Sequence, residues 1–350
     1  MRKKSLSAKK KNYKIIADNL SDKRINNIFK LFENNLKKKI HVKKYGAAIS
    51  GGPDSMALAY LIYRYNLANK KKCFYYHIDH QLRKNSFEEA QKVKHVLKKW
   101  NINLKVIRWL GKKPEIQIQS IARLNRYNLL KKEMKKANIK YLFLGHNQND
   151  VVENFFIRIN RGSGLRGFVS LNQVEVQVGD INLIRPLINI PKEDLVYVSK
   201  KIFNFYIEDP SNTNQIFKRT RVRKIIKLMN DEGINKQKVN LTLNNLTSAD
   251  EAIKFYVKEN LLKNAKYFKM KNYFLLNDKF FSQPREIVLR SISFILKKIG
   301  NNLQPARGKK ILSLLESLKS NDSIKLTLSG CIIEKIKNLI KICPERPKKT

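Results

Sequence analysis

One stretch constrains this chain more than any other. Ser50-Gly51-Gly52-Pro53-Asp54-Ser55 lies between the apolar run Gly46-Ala47-Ala48-Ile49 and the unbroken Met56-Ala57-Leu58-Ala59-Tyr60-Leu61-Ile62. The first run predicts a buried strand and the second a helix, so the turn between them opens a βα unit. Glycines there let backbone N–H groups come close to phosphate oxygens, and the helix N-terminus adds partial positive charge. Pro53 suits the first helical turn, where its missing N–H costs nothing. Ser55 can donate to a phosphate. Asp54 is a carboxylate next to bound polyphosphate and is better suited to holding Mg²⁺ than to touching phosphate. The stretch is not a Walker A loop, because no G-x-x-x-x-G-K-[ST] occurs. As an ordinary strand-to-helix turn, the same letters would only cap a helix.

Beyond this turn, strand and helix alternate to about residue 160. Strands are expected at 45–49, 73–78, 103–108 and 140–144, with helices between them, one from about Ile118 to Lys136. Ser86-Phe87-Glu88-Glu89 reads as a capping box opening a helix with Ala90, Val93, Val96, Leu97 and Trp100 on one face. Spacings of about 30 residues between strands suit right-handed crossovers in a parallel sheet. Polar groups fall at successive strand ends: Ser50–Ser55, then Asp79-His80, then Gly145-His146-Asn147. An open parallel sheet gathers such ends along one edge, where these folds bind ligands. Arg161-Gly162-Ser163-Gly164-Leu165-Arg166-Gly167 spells G-x-G-x-x-G but follows a helix, so it reads as a flexible basic loop able to reach phosphates. A hairpin is expected over 174–184 and a helix from Pro191 to about Phe203. Residues 235–300 read as helix-rich. Ser323–Leu328, Cys331–Glu334 and Leu339–Ile342 then read as a small meander.

Lys and Arg outnumber Asp and Glu by 73 to 28, a formal charge of +45. Even with part of the lysine excess assigned to AT-rich codon usage, such a surface suits a polyanion. Cys73, Cys331 and Cys343 form no C-x-x-C, which excludes a zinc or iron–sulfur reading and argues against a disulfide framework. The basic N-terminus lacks an apolar segment of signal-peptide type, and no apolar run reaches membrane-spanning length. A cytoplasmic protein with no membrane contact is the expectation. An amphipathic helix is expected from Ile25 to Leu36, with Ile28, Phe29, Leu31 and Phe32 on its apolar face.

The glycine turn resembles the SGGxDS loop of the N-type ATP pyrophosphatases, which cleave ATP to AMP and pyrophosphate. Further segments narrow the likeness. His77-Ile78-Asp79-His80-Gln81-Leu82-Arg83 is similar to the HVDHGLR of tRNA(Ile)-lysidine synthases, and so are Ala122-Arg123 with Arg126-Tyr127. Gly145-His146 with Asp150 and Glu153, Arg161–Gly164 (RGSG), Arg185-Pro186-Leu187, and Glu208-Asp209-Pro210-Ser211-Asn212 with Arg219 and Arg223 follow in that family's order. Asn149, Val151 and Asn154 depart from its DDQxET, and Gln81 from the glycine of HVDHGLR.

The resemblance implies a doubly wound parallel α/β sheet of the PP-loop type, with a C-terminal helical region and a small C-terminal β element. It implies a basic N-terminal extension over 1–40, a catalytic domain over 41–229 and a helix-rich tRNA-binding domain over 230–350. It further implies that free lysine is joined to C2 of the wobble cytidine in the CAU anticodon of tRNA(Ile), through an adenylated cytidine, with ATP and Mg²⁺. ATP would sit on Ser50, Gly51, Gly52, Pro53, Asp54, Ser55, His77 and Asp79. Catalysis would fall to Asp54, Asp150, Glu153 and Arg219, with Asp54 as the metal ligand. The tRNA would meet Arg123, Arg126, Arg161, Arg166 and Arg223. His77, His80 and His146 read first as structural hydrogen-bonding groups. A PP-loop thiolation enzyme, a GMP-synthesising enzyme and a non-catalytic RNA-binding protein remain alternatives, and the oligomeric state stays open, a homodimer included.

Overall fold

A computed structural model describes residues 21–345, apart from 38–41, 84, 112–117, 171, 173, 179, 209–217, 301–307 and 321–322. The chain divides into two compact units, residues 1–244 and 245–350. The division falls inside a helix, later than residue 230, where the composition shifts.

The first unit opens with α1 (Lys23–Lys37), then β1 (Lys44–Ala48), α2 (Pro53–Asn69), β2 (Lys72–Asp79), α3 (Ser86–Lys98), β3 (Leu104–Arg108), α4 (Ile118–Lys136) and β4 (Tyr141–Phe143). It continues through α5 (Gln148–Ile159), α6 (Leu165–Val169), β5 (Glu175–Val178), β6 (Ile181–Ile184), α7 (Lys192–Phe203) and α8 (Lys218–Asp231). The sheet order is β3-β2-β1-β4-β6-β5. All neighbours are parallel except β5, which hairpins back on β6 at the edge. Strand order reverses between β1 and β4, so the crevice outside their carboxyl ends is the natural ligand position.

Both faces of the sheet are covered. Every residue from Met56 to Ile62 in α2 is buried, as a helix apolar all round must be. It joins α1, Val93 and Leu97 of α3, and Leu195, Val198 and Ile202 of α7 in one core. The opposite face packs Leu130 and Met134 of α4 against Tyr76, Leu142 and Leu183. Residues 23–37 therefore belong to the core of the first unit: Ile25, Phe32 and Leu36 are completely buried. Leu31 is the exception on the expected apolar face and stands in solvent.

Two local expectations change. Ser86 is the first residue of α3 and makes no cap; Asn85 precedes it, also without a side-chain cap bond. After α5 the basic glycine-rich segment is a structured turn, not a flexible loop. Gly162 and Ser163 N–H donate to Ile159 O at 2.9 Å and Arg158 O at 3.0 Å, and α6 follows at once.

Helix α9 (Lys236–Asn264) runs into the second unit, which adds β7 (Ala265–Phe268), β8 (Tyr273–Leu276), α10 (Arg285–Ile299), α11 (Gly308–Ser320), β9 (Ser323–Leu328), β10 (Cys331–Ile336) and β11 (Leu339–Pro344). The expected meander is larger than its sequence pattern shows. A β7–β8 hairpin interrupts the helix-rich region and completes a five-stranded antiparallel sheet, ordered β7-β8-β11-β10-β9. Tyr267, Phe268, Tyr273 and Phe274 favour strand, and Asn272 turns the chain at φ +47°. The sheet packs on α10 and α11 through Phe274, Ile333 and Ile342 against Ile292 and Ile295 of α10 and Leu314 of α11.

Candidate active site

The glycine turn is built from within by Ser55. Its Oγ accepts from Gly51 N–H at 3.0 Å and Ser50 N–H at 3.2 Å, and donates to Gly52 O at 2.9 Å. Ser55 is thus buried as the internal brace of the turn, and its proton is held by protein rather than offered outward. Gly51 adopts φ +92°, and a Cβ there would meet Val93 and Ile207 side chains at 2.7 and 2.8 Å. Gly51 O also accepts from Ile207 N–H at 2.9 Å. The chain crosses too tightly there for a side chain. Gly52 differs: a Cβ would meet only Ser50 Oγ, at 3.8 Å, so this surface is open for an anion at the helix start. Pro53 occupies the first helical position, as expected.

Asp54 sits in that first turn. Its Oδ1 is buried without a hydrogen-bond partner. Burial pushes its carboxyl up to about 6, and Asp150 adds to the rise, while Lys192, Asn147 and Arg223 oppose it. Two neighbouring carboxylates, one holding an unmatched buried oxygen, attract a cation. Mg²⁺ commonly binds through one or two carboxylates and completes its shell with substrate phosphates and water. The donor set therefore fits Mg²⁺ shared with a nucleotide. No cluster of three or more His, Cys, Asp or Glu able to hold a metal by itself occurs among the described residues.

The strand ends meet at this turn. Gly145, just after β4, approaches so closely that a Cβ would lie 3.3 Å from Ser55 N and 3.4 Å from Asp54 C and O. His77, on β2, contacts Ile49 O through Nδ1 at 2.9 Å, and burial lowers the affinity of its imidazole for a proton. It is a strut tying β2 to the chain just beyond β1. Asp79 is almost fully buried; Oδ1 accepts from Gln81 N–H at 2.9 Å, while Oδ2 has no partner. Gln81 replaces a glycine of the family pattern yet keeps the left-handed backbone, φ +53°, with its Nε2 donating to Trp109 O at 2.9 Å. His146 is driven down to about 4, chiefly by burial, so its imidazole is neutral at physiological pH.

Asp150 has two tasks. With Asn147 it forms a capping box on α5: Asn147 N–H donates to Asp150 Oδ2 and Asp150 N–H to Asn147 Oδ1, both at 3.1 Å. Its Oδ1 faces Arg219 Nη1 at 3.4 Å. One turn on, buried Glu153 accepts from Arg223 Nε at 2.5 Å. Helices α5 and α8 are thereby clasped by two acid–arginine pairs, and Asp150 stands within electrostatic reach of Asp54. Asn149 turns elsewhere, its Oδ1 accepting from Lys192 N–H at the start of α7, at 3.4 Å.

The arginines divide into two groups. Arg123 and Arg126 of α4 lie along Tyr127, with guanidinium carbons 5.4 and 5.8 Å from its ring centroid. Arg126 stands within electrostatic reach of His80 and Arg219, and Arg123 and Arg185 within reach of His146. These form a cationic wall at the strand ends. Arg161 and Arg166 are exposed beyond the far end of α5, roughly 15 Å along the helix from Asp150. The Asp209–Asn212 part of the EDPSN segment lies outside the described residues. The sequence reading placed Asn147 in the strand-end cluster but gave it no capping role, and it passed over Lys192. The Asn-x-x-Asp spacing ahead of an apolar run, and a lysine following Pro191 at a helix start, were their signals.

The PP-loop domain family matches residues 20–229. Curated relatives named tRNA(Ile)-lysidine synthase include one from Orientia tsutsugamushi, 32% identical over 83% of this chain and 67% of its own length. One from Rickettsia typhi is 31% identical over 90% and 73%, and one from a Bradyrhizobium strain 28% identical over 86% and 90%. Among solved structures, the U34-tRNA thiolase NcsA from Methanococcus maripaludis, with its [4Fe-4S] cluster, superposes with a TM-score of 0.54 at 16% identity. It covers 64% of this chain and 79% of that one, a likeness of fold alone.

Proposed function

Starting from the fact that this chain belongs to the tRNA(Ile)-lysidine synthase family of PP-loop enzymes, ligases that form a C–N bond, we propose that it joins free lysine to C2 of the wobble cytidine of a tRNA(Ile) with a CAU anticodon. The observation that carries this reading is the position of Asp54. Its orphaned buried oxygen lies behind the open Gly52 surface, beside Asp150, at the point where strand order reverses.

ATP places its phosphates over Gly52 and the start of α2, on the partial positive charge of the helix. The cytidine O2 attacks the α-phosphorus, the bond to the bridging oxygen breaks, and pyrophosphate departs. Asp54 and Asp150 would hold a divalent cation, whose chemistry there would be to neutralise charge on the departing pyrophosphate. Lysine's ε-amine, with an ordinary pKa near 10.4, must shed a proton before it displaces AMP from C2. The lysine zwitterion can exchange into the long Asp150–Arg219 pair, its ammonium on the carboxylate and its carboxylate on the guanidinium. Arg123 and Arg126 face the anticodon, and Arg161 and Arg166 offer outlying phosphate contacts. The only cysteine on the central sheet, Cys73, has a thiol pushed well up by burial, which weighs against sulfur transfer.

The test is incubation with ATP, labelled lysine and the CAU-anticodon tRNA. One AMP and one pyrophosphate are expected for each lysine entering the tRNA. ATP cleavage without lysine in the RNA would overturn the proposal.

A further inference from the structure

We propose that the outer face of the antiparallel sheet in the second unit is a stacking platform for unpaired RNA nucleotides. Side chains alternate between the two faces along each strand. Tyr267, Phe274, Leu276, Ile340 and Ile342 turn inward, to the core shared with α10 and α11. Their sequence neighbours Lys266, Phe268, Tyr273 and Lys341 therefore point outward; both lysines are exposed and both rings half-buried. Phe268 and Tyr273 are cross-strand partners. Their rings stack with centroids 4.6 Å apart and planes 13° apart. Lys266 Nζ lies 5.3 Å from the Phe268 centroid, and Lys341 Nζ 5.2 Å from that of Tyr273.

The outer face thus carries a column of cation, ring, ring and cation. Both ammonium groups stand near the long end of cation–π reach and sit on exposed, flexible stems, so they can swing aside and leave a ring face to another flat group. Every nucleobase presents a π-face, and every nucleotide brings a phosphate for a displaced lysine. The charge of the face selects the same occupant. Glu334 is the one acid in the five strands, and register sets it between Lys325 and Lys341. A duplex hides its base faces within the helix, whereas unpaired segments offer them to aromatic side chains. The platform lies wholly within the second unit and takes no part in the chemistry around Asp54.

The experiment measures binding of the full-length protein, without ATP or lysine, to an eight-nucleotide oligoadenylate and to a ribose-phosphate chain of the same length without bases. The parent should prefer the oligoadenylate. Phe268→Leu/Tyr273→Leu keeps an apolar strand surface but removes the π-faces. It should unfold within a few degrees of the parent, bind oligoadenylate about tenfold more weakly and bind the base-free chain as before. Lys266→Gln/Lys341→Gln leaves the rings in place. It should weaken both oligomers alike and lower the slope of log affinity against log salt by about 1.4, the share of two phosphates in single strands. Parental oligoadenylate binding in the leucine variant would overturn the proposal, as would an equal loss for both oligomers. So would an unchanged salt slope in the glutamine variant, which decides the matter if the leucine variant does not fold. Loss of a dimer with no loss of RNA would assign the face to a second copy of the chain and overturn it too. Failure of the ligation test leaves these outcomes untouched.

Discussion

At the scale of single residues, the site is a set of charges kept in place at a cost to stability. Asp54 shows the sign plainly. Burial raises its folded-state pKa from 3.8 to about 6, so the folded chain holds that proton more tightly than the unfolded one. The stability this contributes is present at low pH and lost as pH rises from about 4 to 6. Asparagine cannot ionise, so Asp54→Asn should gain on the parent as pH rises from 4 to 7, by on the order of 2–3 kcal/mol. Denaturant titrations at the two pH values measure that difference, and the same variant should lose pyrophosphate release by about a hundredfold or more. Glu153 is a buried acid whose charge is paired with Arg223 through Oε1, although its Oε2 has no hydrogen-bond partner. Arg223→Ala would leave its charge uncompensated and should cost about 3 kcal/mol. The Glu153→Gln/Arg223→Ala double variant should recover much of that loss in the same titrations, since no unpaired charge remains.

At the scale of elements, two adjacent glycines serve different ends of one turn. Gly51 answers to the fold: its φ is +92°, with Val93 and Ile207 side chains where a Cβ would go. Gly52 has ordinary φ and open space, which suits the proposed nucleotide phosphates. Gly51→Ala should therefore destabilise the protein by about 2–3 kcal/mol through left-handed strain and overpacking. Gly52→Ala should cost less than about 1 kcal/mol, yet weaken ATP binding tenfold or more, because its methyl group would stand where the proposal puts the phosphates. Thermal melts paired with ATP titrations separate the two. Equal losses of stability would show that the turn has no such division.

At the scale of the whole molecule, a formal charge of +45 dominates behaviour in solution. An RNA partner held largely through phosphates is released by salt as counterions return. Raising monovalent salt from 50 to 200 mM should weaken binding of the proposed tRNA by on the order of a thousandfold. Filter binding across that range gives the slope, and a flat response would remove the polyanion from the account. Among the described residues, no helix is long and apolar enough to cross a membrane.

Much of this was legible in the chain itself, for a physical reason. A buried strand, a glycine turn and a helix that is apolar all round permit few arrangements, and Ser50–Ser55 with Met56–Ile62 specify one locally. Periodicity likewise predicts α4 and the β5–β6 hairpin almost to the residue, because hydrophobic pattern and turn residues act over short range. The β7–β8 hairpin escaped because its four-residue strands are short beside the helices around them, and only pairing with β11 makes them a sheet. Partnership was decided by tertiary structure alone. Letters name Asp54, Asp150 and Glu153 as acids, and the Asn147-x-x-Asp150 spacing signals the cap of α5, but only packing leaves an oxygen of Asp54 unmatched, turns Asp150 toward Arg219, and closes Glu153 on Arg223. Those outcomes depend on burial and on side chains brought together from distant parts of the chain, and no local pattern encodes that distance.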